Sequence, residues 1–237
     1  MAGMEARVGV AKVGKYATPE SGDSLEMIER PSGGLSFVLA DGQRSGRAAK
    51  AISNVVARKA IGLLADGVRD GPAARAASDY LYTYRSGKVI ATLNILSIDL
   101  QSQSLVLTRN NPEPVLLLQD DELRLLSEPS EAVGSRRGIR PSISEVPISI
   151  GLTAIIFTDG LSHAGERNGR RMDIPGAVQE LQQDGPPDPQ NWADVLVRQA
   201  VALDNGRPDD DISVLVAAIL PHTGDESRSL TVRVPLL

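Results

Sequence analysis

The chain has 237 residues, 41% of them hydrophobic, enough apolar side chain for one large core. With 25 basic against 30 acidic residues the net charge is −5, and with only 3% aromatic residues a nucleic-acid surface of basic stripes and base-stacking rings is disfavoured. No cysteine is present, which excludes disulfides, thiolate nucleophiles and sulfur-ligated metals and leaves oxygen ligands, His163 and His222 as metal donors.

No run of 18 apolar residues occurs and the first seven residues lack a signal-peptide pattern, so a soluble, unsecreted, cytoplasmic chain with no membrane partner is expected. Residues 7–15 alternate loosely, and residues 24–30 follow a Ser21, Gly22, Asp23 turn; two antiparallel strands are predicted there, with a third over 34–40. Apolar residues then recur at helical spacing through Ala49, Ile52, Val56, Ala60 and Leu63, and Gly67 ends that helix. A second helix is predicted from Pro72 to about Tyr84.

From Lys88 the texture becomes β-rich, with predicted strands over 89–100, 104–109, 114–118, 122–126, 143–148 and 153–158 joined as an antiparallel meander. Around residues 94–100 both alternating faces are apolar, the pattern of a strand covered on one side by a second sheet and on the other by helices. A short helix is predicted near Asp173 and Pro175. After a polar loop over 182–190, a longer one carries Trp192, Val195, Leu196, Ala200 and Leu203, with Asn191 as its cap. The last core strand is predicted over 211–220, and residues 230–234 alternate as an added edge strand or a docking tail. The order of strands, two helices, strands, two helices and strand is not the βαβα of a doubly wound sheet; it predicts an α+β fold.

Three aspartates stand at the polar ends of apolar or β-branched runs: Asp41 after residues 36–40, Asp159 after 154–158, and Asp210 before 212–218. Gly42 and Gly160 follow the first two directly. If these strand ends lie side by side, their carboxylates repel by roughly 4 kcal/mol per pair at about 4 Å and an effective dielectric near 20, and a divalent cation relieves that repulsion. Asp23 is a fourth candidate, and Asp209 and Asp211 are alternatives to Asp210.

In order along the chain stand Gly22-Asp23, VLADG at 38–42, NNPEPVLLL at 110–118, IIFTDGL at 155–161 and DDDISVLV at 209–216. This ordered set resembles the metal-dependent phosphatases of the protein phosphatase 2C superfamily, in particular the bacterial branch of SpoIIE, RsbU and RsbX. The compact turn DGQRSG at 41–46 looks closer to RsbX, because Gln43, Arg44 and Ser45 replace a histidine between glycines. The resemblance implies a four-layer αββα sandwich of two mostly antiparallel sheets, with a phosphatase domain over residues 1–220 and a tail or edge strand over 221–237. It also implies two Mn²⁺ or Mg²⁺ ions. By the same resemblance Asp41 would bridge them, the Gly42 carbonyl would bind one, Asp159 and Asp210 would complete the site, and Asp23 would act mostly through water. Implied partners are phosphorylated STAS-domain proteins of a stressosome-like complex, dephosphorylated at serine or threonine. Hard oxygen ligands suit those two cations and disfavour zinc.

Other features have blander readings. His163 is a candidate acid for the leaving oxygen, yet a surface-loop histidine suffices to explain it, and His222 lies outside the resemblance. Arg44, and the cluster Arg136, Arg137 and Arg140, could grip a phosphate or an acidic surface, or form solvated loops. Residues 9–15 have phosphate-loop spacing, but Tyr16 replaces the required hydroxyl residue. The run 155–160 is also similar to haloacid-dehalogenase phosphatases, whose second acid is missing because Leu161 is there. The rival from another class is a non-catalytic phosphoprotein-binding module of the same fold, which the altered turn at 43–45 would permit.

Overall fold

A computed structural model describes residues 3–222, 224–225 and 227–235; the outermost residues of both predicted units therefore lie outside the described part. Two five-stranded antiparallel sheets face each other. One is ordered β1 (Gly3–Val13), β10 (Ile212–His222), β9 (Thr153–Phe157), β6 (Val115–Gln119), β7 (Glu122–Leu126). The other is ordered β2 (Asp23–Glu29), β3 (Gly34–Gly42), β4 (Ala91–Asp99), β5 (Ser104–Asn110), β8 (Ser142–Pro147). Helices α1 (Gly46–Ala65) and α2 (Asp70–Tyr84) cover the second sheet, and α4 (Ile174–Gln183) and α5 (Pro189–Leu203) cover the first; α3 (Asp159–Ser162) is a single turn.

The four layers explain why the central strands read as continuous apolar runs. On β3, Val38 and Ala40 pack with Ile52, Val56 and Ala60 of α1, while Phe37 and Leu39 meet Leu117, Ile156 and Leu215 of the facing sheet. On β10, Val214 and Val216 meet Trp192 and Leu196 of α5, and Leu215 and Ala217 turn to the middle layer. Side chains alternate between two buried faces, so hydrophobicity no longer shows the period of two. Small residues on α1, such as Ala49, Ala57 and Ala60, bring its axis close to β3. Gly67, at φ +82°, ends it as predicted, with the Val68 N–H returning to the Leu63 carbonyl at 2.9 Å.

Three expectations change. The predicted meander is broken: β6 and β7 form a hairpin in the sheet opposite β5, beside β9. The buried Arg109 guanidinium organises that crossover by donating to the Asn111 carbonyl at 2.5 Å and to the Glu128 carbonyl. Helix α5 starts earlier than predicted, because Asp188 is its cap, accepting from the Asn191 N–H at 3.2 Å, and Pro189 fits the first turn. Of the two alternatives expected for residues 230–234 the edge strand is not formed: residues 227–235 lie in no strand, and Leu230, Val232 and Val234 are exposed. Among the described residues no helix is long and apolar enough to cross a membrane.

Candidate metal centre

Strands β2 and β3 pair so that Asp23 lies opposite Asp41, the last acid before Gly42 and the turn into α1. Only glycine fits at position 42, since a Cβ there would stand 2.0 Å from the Ala49 carbonyl oxygen on α1. In the other sheet, β9 leads through Thr158 into Asp159, and β10 is preceded by Asp210 and Asp211. The Thr158 N–H donates to the Ser213 carbonyl at 3.0 Å, which keeps these two strand ends together. A Cβ at Gly160 would stand 2.2 Å from the Asp211 carbonyl oxygen, so that glycine permits the close approach.

Asp23 ties the two sheets to each other. Its Oδ2 accepts from Thr158 Oγ1 at 3.0 Å and from Ser213 Oγ at 2.5 Å, while its Oδ1 is buried without a partner. Two ammonium groups, Lys12 Nζ from β1 and Lys50 Nζ from α1, donate to its backbone carbonyl at 3.0 and 2.6 Å.

The electrostatics place Asp41 in the middle of the acids. Burial, and then the charges of Asp23, Asp159 and Asp210, push its carboxyl from 3.8 up to about 9. Burial raises Asp23 to about 6, against the hydrogen bond from Ser213 and the charge of Lys12. Asp159 is raised by burial and by Glu113, with His163 opposing; Asp210 is raised by burial and by Asp159, with the Asp211 N–H and Lys15 opposing.

The triple acid 209–211 divides its work. Asp209 pairs outward with Arg167 at 2.5 Å, and Asp211 accepts from the Lys15 N–H at 3.0 Å and the Gly22 N–H at 2.7 Å. Asp210 is the member whose charge raises Asp41 and which is itself raised by the charge of Asp159.

The other predicted residues are less involved. His163 Nδ1 is 4.0 Å from Asp159 Oδ2 and half exposed, and His222 pairs with Glu5 at 2.9 Å at the far end of β1. Arg44, at φ +80°, is exposed beside Gly42. Arg136 is held by both oxygens of Glu131, and Arg137 lies over the Tyr82 ring, so that cluster is not drawn into the acids. Gly9 to Val13 belong to β1 and form no phosphate loop; a Cβ at Gly9 would strike the backbone at Pro189 and Gln190, at the start of α5.

Sequence reasoning passed over Lys12, Lys50, Thr158, Ser213 and Glu113. Lys12 carried little signal, a lysine near the end of a strand otherwise rich in valine and alanine. The hydroxyls had none, since serine and threonine are ordinary strand-end residues.

The donor chemistry fits hard divalent cations: an orphaned buried carboxylate oxygen in Asp23, and an Asp41 carboxyl that burial and the neighbouring acids hold far above the usual carboxylate range. Among the described residues no group of three or more His, Asp or Glu side chains is arranged to hold a single ion. Smaller sets of carboxylates suit an ion that keeps several waters and takes one or two carboxylates.

The family described as Stage II sporulation protein E (SpoIIE) matches residues 31–220, a span that includes Asp41, Asp159 and Asp210 but not Asp23. Stage II sporulation protein E of Priestia megaterium is 23% identical over 216 residues, 91% of this chain; the chain spans only 36% of that relative. The phosphatase domain of the cell-fate determinant SpoIIE from Bacillus subtilis, solved with a fragment of its regulatory domain, superposes with a TM-score of 0.80. It is 20% identical, with coverage of 94% of this chain and 66% of that one. RsbX in complex with magnesium (TM-score 0.69, 17% identity) and the catalytic domain of the serine/threonine phosphatase PstP with two manganese ions (TM-score 0.69, 18% identity) each match 92% of this chain and 100% of their own. These structures share its αββα fold. With four fifths of its length matched, the chain belongs to the SpoIIE family.

Proposed function

We propose that the chain is a metal-dependent phosphatase of the protein phosphatase 2C type, hydrolysing phosphoserine or phosphothreonine on a partner protein. The observation that carries this reading is the convergence of acids from both sheets, Asp23 and Asp41 paired across β2 and β3 with Asp159 and Asp210 at the ends of β9 and β10, which together with burial raises the Asp41 carboxyl. Asp41, Asp159, Asp210 and the Gly42 carbonyl would hold two Mn²⁺ or Mg²⁺ ions, with Asp23 acting through water. When bound, the two ions supply Lewis acidity and a water acidic enough to attack phosphorus at neutral pH.

The chain's own groups do the positioning. The hydroxyls of Thr158 and Ser213 fix Asp23 Oδ2, and Lys12 and Lys50 fix its carbonyl, so β2 cannot shift relative to β9 and β10. Asp211 secures the backbone at Lys15 and Gly22. Arg44 at the rim is free to meet a phosphoryl oxygen or an acidic side chain of the substrate. No protein nucleophile is needed, so the absence of cysteine is no obstacle.

For substrate we propose phosphorylated STAS-domain proteins of a stressosome-like complex in the cytoplasm, on the likeness to RsbX. The test is phosphate release from such proteins, and from p-nitrophenyl phosphate, with Mn²⁺ and with chelator. Turnover that needs the metal supports the enzyme. Binding of the phosphoprotein without any turnover would favour the non-catalytic module instead.

A further inference from the structure

Three of the chain's four tyrosines, Tyr80, Tyr82 and Tyr84, lie together in the last turns of α2. Tyr80 and Tyr84 stack with centroids 5.8 Å apart and planes 7° from parallel, although they are 46% and 57% exposed. Each of the three rings carries a cation: Lys59 over Tyr80 at 5.6 Å, Arg85 over Tyr84 at 5.1 Å and Arg137 over Tyr82 at 5.8 Å. In a chain with 3% aromatic residues and a net charge of −5, this face has the opposite character from the rest.

The nearby acids are already engaged. Asp79 accepts from the Gly138 N–H at 2.9 Å, and Glu131 is paired with Arg136 at 2.6 Å. Among the described residues Arg137, Arg85 and the exposed Lys88 form no ion pair, and Arg137 and Arg85 lie over rigid, amphipathic rings, the combination that dominates protein-recognition surfaces. The face adjoins the metal centre. The chain leaving α2 reaches Ile90, whose carbonyl accepts from the Gln43 N–H at 3.1 Å and whose N–H donates to Gln43 Oε1 at 3.3 Å. Gln43 follows Asp41 and Gly42 directly.

We infer that this face docks an acidic segment of the phosphoprotein substrate, away from the phosphorylated residue itself. The inference rests on the phosphatase reading and adds a recognition site to it. Carboxylates would meet Lys88, Arg85 and Arg137, and side-chain stems would lie on the Tyr80–Tyr84 pair. Tethering at this face raises the local concentration of the phosphate at the acids.

Two phosphoserine peptides with the same core, one with an Asp/Glu-rich flank and one with a Ser/Gly flank, provide the test. The parent protein should show a KM at least about fivefold lower for the acidic flank, a preference weakened by salt. The double substitution Lys88→Glu with Arg137→Glu, both at exposed positions, should erase that preference and leave p-nitrophenyl phosphate turnover unchanged, and Tyr84→Ala should reduce it. Equal KM values in the parent, or a preference that survives the double substitution, would overturn the proposal. If the parent does not turn over p-nitrophenyl phosphate with Mn²⁺, the phosphatase reading fails. The docking face is then judged by fluorescence anisotropy of an unphosphorylated acidic peptide: binding lost in the double variant supports it, and no binding by the parent refutes it.

Discussion

Asp23 and Asp41 stand directly opposite each other on adjacent antiparallel strands, and after burial the charge of Asp23 is the largest cause that raises the Asp41 carboxyl. Like charges at opposed strand positions destabilise a sheet, and here two further acids add to the field. Asp41→Asn removes the cost of burying an acid beside three others and also the central candidate ligand. Without metal the variant should melt higher by about 3 °C, the shift that about 1 kcal/mol gives at this chain length. Its phosphate release should fall at least about a hundredfold, and Asp159→Asn should fall by a similar factor. A lower melting temperature with near-normal turnover would show that Asp41 serves the fold instead.

The same acids set a pH dependence. Asp41 is held at about 9 and Asp23 at about 6 in the folded chain, from an ordinary 3.8. The native state therefore binds more protons than the unfolded state between these values, and stability falls as the pH rises from about 4 through about 9. The metal-free melting temperature should decline across that window, with Mn²⁺ restoring more at the alkaline end. At about pH 7 ion binding should release protons, visible as a heat that varies with the ionisation enthalpy of the buffer. A metal-free melting temperature that climbs over this range would reverse the assignment.

Which member of the triple acid does what can be separated by two substitutions. Asp211 is buried and accepts two backbone N–H groups, so Asp211→Ala strands both donors and should cost about 2 to 4 kcal/mol in denaturant unfolding, even with metal present. Asp210→Asn should leave stability nearly intact and weaken Mn²⁺ binding in calorimetry. The reverse pattern would move the ligand role to Asp211.

The sequence is legible where chemistry is local. Asp41-Gly42 and Asp159-Gly160 stand out because each ends a buried strand at a point where only glycine fits against a neighbouring backbone. The double-sided apolar texture of residues 94–100 likewise announces a strand between two layers, although β4 ends at Asp99 and Leu100 is exposed. What does not show is pairing at a distance. Nothing local tells that β6 and β7 leave the sheet of β5, because the hairpin is held by contacts remote in sequence, its pairing with β9 and the Arg109 bonds to carbonyls on both sides of the crossover. Nor does the string 209–211 reveal that its outer members have partners as remote as Arg167, Lys15 and Gly22. The start of α5 differs from the expectation for a plainer reason: Asn191 and Asp188 are both good caps, and the proline after Asp188 decides between them.

Lys12 and Lys50 place two positive charges on one carbonyl oxygen at the edge of the acid cluster. Burial lowers the Lys12 pKa from its usual value, and the charges of Asp23, Asp211 and Asp41 work against that lowering. Without metal, Lys12 is thus a countercharge to the very acids that a cation would occupy. Lys12→Met keeps most of the side-chain volume and removes the charge, which should change two observables in opposite directions. The metal-free protein should melt lower, because the carboxylates lose a compensating charge, and Mn²⁺ should bind more tightly, because an ammonium no longer repels it. Weaker Mn²⁺ binding at an unchanged melting temperature would mean that Lys12 acts by holding the Asp23 carbonyl in place and contributes nothing through its charge.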